Sequence, residues 1–391
     1  MSRFPASLHV MQLSFWVYVY IAAAVQAALL GLALWRRPAN REANRLLAVW
    51  VLLVGLDLAV KAGYWHTFGA EWFRAYRFVA LFPFLYGSLF YLYVRALTQG
   101  RGFRWRDGVH LLGFGVMLLL NSYVWAMSHA QIAALSAHWV AGERQIGLWF
   151  SVALLVYSLS YVAAALLRVH RYRRDLRARR SDADRHSLRW IDTMAWSQVV
   201  IWLLATVVTV QPWFGPWPLG FNDYALLYGV IAAWVCVVGW FSLNQSPVVA
   251  ELEPGAETSS EPTEAVPDDP RFDAVAARLA ELMGGAEPMY LAPALTIAQV
   301  ARRSGYPEYL VSAVINRRLG GSFWDYINRL RVEAARVCLA DAGDTRTILD
   351  IAYACGFTSK STFNAAFKRQ VGDTPSAWRK AAQAAPVLPA E

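Results

Sequence analysis

Seven apolar runs, each long enough to cross a bilayer as a helix of about 20 residues, fill the first 243 residues of the chain. They fall near residues 11–35, 46–65, 78–97, 109–127, 147–169, 191–213 and 224–243. Segments of this length with so few charges must satisfy their backbone groups internally, and in lipid only the helix does that within one segment. Composition agrees: 57% of the 391 residues are hydrophobic and 17% charged, against roughly 45–50% and about 25% in soluble domains. The first run is followed by Arg36 and Arg37 instead of a small-residue cleavage site, so it reads as a retained span and not as a leader.

The loops set an orientation. Arg36, Arg37, Arg41 and Arg45 follow the first run, Arg101, Arg104 and Arg106 the third, and a dense series from Arg168 to Arg189 the fifth. The alternate loops carry only Arg74 and Arg77, then Arg144, then no basic residue. Basic loops stay cytoplasmic, which puts the N-terminus outside the membrane and the C-terminus in the cytoplasm. Trp35, Trp65, Trp125, Trp149 and Trp213 stand near run ends, as interfacial anchors do. The series after the fifth run serves topology or binds anionic lipid headgroups; both readings stay open.

Within the runs, Asp57 and Lys61 share one helix face four residues apart. Charges at membrane depth are costly and often functional, so the pair is either a structural ion pair or a site where a signal ligand acts. Nothing points to an enzyme. There is no HExxH, no Gly-rich phosphate loop, no paired intramembrane aspartates, and no lysine in the seventh run for a Schiff base. His66, His129 and His138 are scattered in outer loops, and no metal or cofactor is expected. Cys236, Cys338 and Cys355 lack metal-ligand spacing and lie in apolar stretches, where buried packing is the expectation.

Residues 246–270 differ from both neighbours, with five prolines and seven acids but no basic residue. Such a stretch cannot bury enough apolar surface to order itself and reads as a flexible acidic linker. The chain therefore divides into a membrane domain (1–245), the linker (246–270) and a C-terminal domain (271–391).

The C-terminal domain holds an internal repeat. Ile297, Val300, Ala301, Gly305 and Tyr306 recur as Ile348, Ile351, Ala352, Gly356 and Phe357 at an offset of 51, and Ile315, Leu319 and Gly320 recur as Phe367, Val371 and Gly372 at an offset of 52. Each copy has the features of a helix-turn-helix. Apolar residues at i, i+3 and i+4 pack one helix face, a small alanine permits close crossing, and a glycine ends the first helix in the left-handed conformation. Thr296 with Gln299 and Thr347 with Asp350 match the capping-box spacing, and Pro375 suits the first turn of a last helix. Between the copies, 323–339 reads as an amphipathic helix with Phe323, Tyr326, Ile327, Leu330, Ala334, Val337 and Cys338 on its buried side. Such a helix would hold two reading helices about one DNA turn, roughly 34 Å, apart.

Residues 295–380 closely resemble the DNA-binding domain of the AraC/XylS family, through 295–301, 323–336, 351–364 and 372–379. With the apolar runs and the linker, the expected fold is all-α, a seven-helix transmembrane bundle joined by the linker to two helix-turn-helix units. The resemblance implies a transcription regulator that binds promoter DNA and positions RNA polymerase, and the fusion of the two parts suggests a one-component regulator. The resemblance places the reading helices near 308–319 and 359–371. By it, Tyr309, Ser312 and Ala313 in the first and Lys360, Ser361, Asn364 and Ala365 in the second face bases, while Arg317, Arg318, Lys368 and Arg369 contact phosphates. Ala313 and Ala365 stand where family members often carry arginine or another long polar side chain, which weakens base readout and favours recognition through backbone and shape. Monomer and homodimer both stay open. Two other readings remain: a receptor or transporter-like protein whose C-terminal domain binds a protein, and a precursor cleaved in the linker to release a soluble factor.

Overall fold

The computed structural model describes residues 6–67, 70–140, 147–210, 223–243, 248 and 269–384. It divides into two compact units, Met1–Val169 with Leu188–Glu253, and His170–Ser187 with Pro254–Glu391. Among the described residues every regular element is helical, so the chain is all-α as expected. Apart from 248, 269 and 270, the expected linker lies outside the described residues.

The first unit contains α1 (Ala6–Arg36), α2 (Arg41–Thr67), α3 (Ala70–Val79), α4 (Pro83–Gln99), α5 (Leu112–Leu120), α6 (Tyr123–Ala126), α7 (His129–Val140), most of α8 (Gly147–Arg179), α9 (Arg189–Val210) and α10 (Asp223–Leu243). Among the described residues six helices are long and apolar enough to cross a membrane, or seven if α3 and α4, bent by 40°, count as one span. Glycine sets the closest helix approach. A Cβ on Gly55 of α2 would stand 2.8 Å from the Ala27 Cβ of α1, and one on Gly31 would stand 2.6 Å from Leu52 Cγ. Small residues at such crossings let backbones approach where lipid offers no hydrophobic drive.

Two expected runs are broken. Proline has no amide hydrogen to donate to the preceding turn and suits the first turn of a helix, so the third run stops at Val79 and restarts at Pro83. The fourth is a 3-10 turn (Trp105–Leu111) followed by α5 and the single-turn α6, which together make one of the six spans, Trp105–Ala126. The fifth is longer than expected, since α8 stays helical through the arginines as far as Arg179. In the interior, α4 is buried along nearly its whole length, and Trp50 packs on Phe90 and Trp234 at 5.8 and 4.9 Å between ring centres. The outward faces are the reverse of a soluble protein's: Tyr18, Leu29, Leu119, Val156, Val200 and Trp240 are all exposed. Cys236, expected to be buried, is exposed on α10, whereas Cys355 is buried and Cys338 lies between.

The second unit contains residues 170–187, α11 (Phe272–Gly284), a 3-10 turn (Met289–Leu291), α12 (Ile297–Ser304), α13 (Glu308–Arg317), α14 (Phe323–Ala340), α15 (Ile348–Ala354), α16 (Lys360–Val371) and α17 (Pro375–Ala384). It has two cores strung along α14. The first gathers Phe272, Val275 and Leu279 of α11 with Val300, Leu310, Val314, Phe323 and Ile327. The second gathers Val332, Ala335 and Leu339 with Ile351, Phe357, Phe363 and Phe367. The expected buried stripe on α14 needs correction. Val337 is 73% exposed, while Trp324, Asn328 and Arg331 are buried. The stripe turns gradually around α14 because the helix serves one core with its first half and another with its second.

Candidate nucleic-acid interface

Each helix-turn-helix is assembled by local chemistry. The Thr296 hydroxyl accepts from the Gln299 amide at 3.3 Å while Gln299 Oε1 accepts from the Thr296 amide at 2.9 Å, completing a capping box at the start of α12. Thr347 and Asp350 do the same for α15, at 3.1 and 3.2 Å. Gly305 (φ 80°) caps α12 and Gly356 (φ 86°) follows α15, both left-handed as the repeat required. The second turn is one residue longer: α13 starts three residues after Gly305 and α16 four after Gly356, with Ser359 accepting from the Thr362 amide at 3.1 Å.

The apolar faces of α13 and α16 enter the two cores through Leu310, Val311, Val314 and Ile315 and through Phe363, Ala366 and Phe367. Their outer faces hold the candidate residues. On α13, Tyr309 is 57% exposed, Ser312 is half-buried, and Arg317 and Arg318 are exposed. Ala313 is half-buried and packs against the first core, so its methyl offers little surface. On α16, Lys360, Ser361, Asn364, Ala365, Lys368 and Arg369 are all exposed. The offset of 52 carries Tyr309 onto Ser361, Ser312 onto Asn364, Ala313 onto Ala365 and Arg317 onto Arg369, so the two outer faces are built in one register.

That register also exposes a residue the sequence reading passed over. Asn316 maps onto Lys368, is exposed, and donates to Ser312 Oγ at 3.4 Å. The repeat held the signal, since the same offset pairs them. The phosphate candidates are differently engaged. Arg318 stands 3.9 Å from Asp273 at an exposed site and Arg317 lies over the Phe272 ring at 5.9 Å. Arg369 pairs with Asp325 at 3.2 Å and lies over Trp324 at 4.5 Å. Exposed pairs of this kind are weak, about 0–1 kcal/mol. Among the described residues no group of His, Cys, Asp and Glu is placed to hold a metal ion.

Asp57 and Lys61 are both buried in the first unit, with Nζ 2.6 Å from Oδ1 and 2.7 Å from Oδ2. The Tyr86 hydroxyl donates to Asp57 Oδ2 at 3.5 Å, and Lys61 Nζ lies 4.0 Å from the centre of the Tyr228 ring. The pair does not snorkel, because both side chains are only 3% exposed.

Residues 300–381 match the family model described as a helix-turn-helix domain. The chain is 35% identical over 85 residues to Regulatory protein SoxS of Escherichia coli, covering 78% of that protein and 22% of this one. It is 28% identical over 126 residues to HTH-type transcriptional activator RhaR of Yersinia pseudotuberculosis, covering 40% of it and 32% of this chain. Of an HTH-type transcriptional regulator of Mycobacterium tuberculosis, 34% identical over 85 residues, the chain covers 32%. No solved structure gives a significant match.

Proposed function

Because the chain belongs, through its C-terminal domain, to the AraC/XylS family of transcription regulators, we propose that it is a membrane-anchored member whose two helix-turn-helix units bind promoter DNA under control of a signal received in the apolar domain. The observation that carries DNA binding is the pair of outer faces on α13 and α16, built in one register and carrying polar and basic side chains. In this reading Tyr309, Ser312, Ala313, Lys360, Ser361, Asn364 and Ala365 meet base edges. Asn364 is suited to adenine and Lys360 to guanine. Arg317, Arg318, Lys368 and Arg369 hold the phosphates, and bound protein positions RNA polymerase.

Membrane anchoring is supported by the long helices with apolar outward faces and by the alternation of basic and basic-poor loops. The buried Asp57–Lys61 pair is our choice for the signal site, since it is a charged feature in an apolar helix core with an aromatic wall. Enzyme reporters fused after residue 391 and genome-wide mapping of bound DNA are the deciding experiments. The expected result is a cytoplasmic C-terminus with binding at promoters; an external C-terminus would rule the reading out.

A further inference from the structure

The sequence assigns the arginine-rich stretch after the fifth run to topology or lipid, yet residues 170–187 are part of the same compact unit as the two helix-turn-helix motifs. Their contact is specific at the level of single atoms. Ser181 is fully buried and all three of its polar groups are taken. Its amide donates to Leu295 O at 3.0 Å, its carbonyl accepts from Asn328 Nδ2 at 3.2 Å, and its hydroxyl accepts from Arg331 Nη2 at 3.1 Å. Beside it, Arg180 forms an antiparallel bridge with Thr296, and Arg177 lies over the Trp324 ring at 5.4 Å.

The receiving surface is built for this guest. Arg331 is among the largest fully buried side chains, and no carboxylate touches it within 4 Å among the described residues. Burial lowers its pKa to about 10, and the nearby Asp182 charge works the other way. Its guanidinium is held by the carbonyls of Tyr290 at 2.7 Å and Ala292 at 2.8 Å and by Ser181. Buried cations without such acceptors are costly, so the strap supplies part of what keeps Arg331 inside. Asp182 is itself fixed. Although burial opposes it, hydrogen bonds from His186 and Arg180 hold its carboxyl well below the usual range.

The attachment points bear on DNA reading. Leu295 and Thr296 are the entry and N-cap of α12, so they set the first helix-turn-helix. Asn328 and Arg331 lie on α14, which carries the second. A segment that grips both controls the relation between the reading helices. At its other end the strap is the continuation of α8, one unbroken helix from Gly147 to Arg179. An axial or rotational shift of that helix therefore arrives at Ser181 two residues later. The seat is also open to change: among the described residues, Asn328 Oδ1 and the Trp324 indole N–H take no protein partner, and a network left partly unsatisfied yields more readily.

We propose that the Leu295–Thr296 and Asn328–Arg331 face of the DNA-binding domain is a docking surface for residues 177–186 of the same chain, and that seating or release of this strap switches DNA binding. The proposal rests on the functional reading above. Facing residues of an antiparallel pair have Cα atoms roughly 4.5–5.5 Å apart, within disulfide reach. Full-length R180C/T296C protein in membranes, treated with a mild oxidant, should therefore form an intramolecular cross-link that neither single variant forms. Binding is then read on duplexes that the wild-type protein enriches from a random-sequence library. The cross-linked and reduced forms should differ in affinity by roughly fivefold or more, the lower end of ordinary coupling factors. S181W, which cannot seat, should differ from the cross-linked form in the same direction as the reduced protein and by at least as much; degradation of S181W leaves the comparison of locked and reduced protein to decide. Absence of the cross-link, or equal affinity of the two forms, overturns the strap. Enrichment of no duplex by the wild type overturns the functional reading instead, whether or not the cross-link forms.

Discussion

At the scale of residues, the two kinds of proposed DNA contact separate by what they carry. Asn364 projects from an exposed face with a planar amide that can pair with one base edge. Asn364→Ala should cost about 1–3 kcal/mol on the preferred duplex and relax preference at one position, measured by binding to a set of single-base variants. Lys368→Ala should instead weaken binding to all duplexes alike and reduce the salt slope by about 1, read from affinity against salt concentration. The candidates came from the family resemblance, and the repeat offset of 52 places Tyr309, Ser312, Ala313 and Arg317 in register with Ser361, Asn364, Ala365 and Arg369. Arg331 and Asn328 were not legible as buried residues. A periodicity reading assigns charged and amide side chains to solvent, and only the carbonyls of Tyr290, Ala292 and Ser181 turn that position inward. Val337 failed for the opposite reason, an apolar residue left outside where the stripe turns.

At the scale of elements, glycines and prolines carried most of what could be foreseen, and their surroundings carried the rest. Gly305 and Gly356 hold the same place in the two repeats with nearly the same φ, but a Cβ on Gly305 meets open space. On Gly356 it would stand 2.6 Å from Leu291 O and 2.8 Å from Tyr290 O. Gly305→Ala should therefore cost only the left-handed penalty of roughly 1–2 kcal/mol. Gly356→Ala should cost more, because it also pushes away the turn whose carbonyl accepts from Arg331. Hydrogen exchange of α12–α13 and α15–α16 amides in the full chain would show the asymmetry. By contrast, α11 escaped the sequence reading, although Phe272, Val275 and Leu279 mark its inner face. Its apolar spacing is plain, but it lies outside the repeat that drew attention to its neighbours. The bend at Pro83 was equally available, and a long apolar run concealed it.

At the scale of the whole molecule, the i,i+4 spacing of Asp57 and Lys61 made their pairing readable, whereas the groups that enclose the pair come from other helices and leave no local pattern in the sequence. The structure bears out the pairing and adds the enclosure: Asp57 and Lys61 are paired and enclosed with Tyr86 and Tyr228. Removing one charge leaves the other buried and uncompensated, which costs about 3–5 kcal/mol, whereas replacing both is often neutral or stabilising. Asp57→Asn and Lys61→Met should thus each lower protein level in membranes and thermal stability in detergent, and the double variant should recover both. Stability alone does not distinguish an ion pair that only holds helices from one that receives a signal, since both recover. Transcription does. With the double variant folded and inserted, a promoter reporter should stay at one level under growth conditions that change the output of the wild type. A reporter that still follows those conditions would return the pair to a purely structural part and move the search for the signal to other residues of the apolar domain.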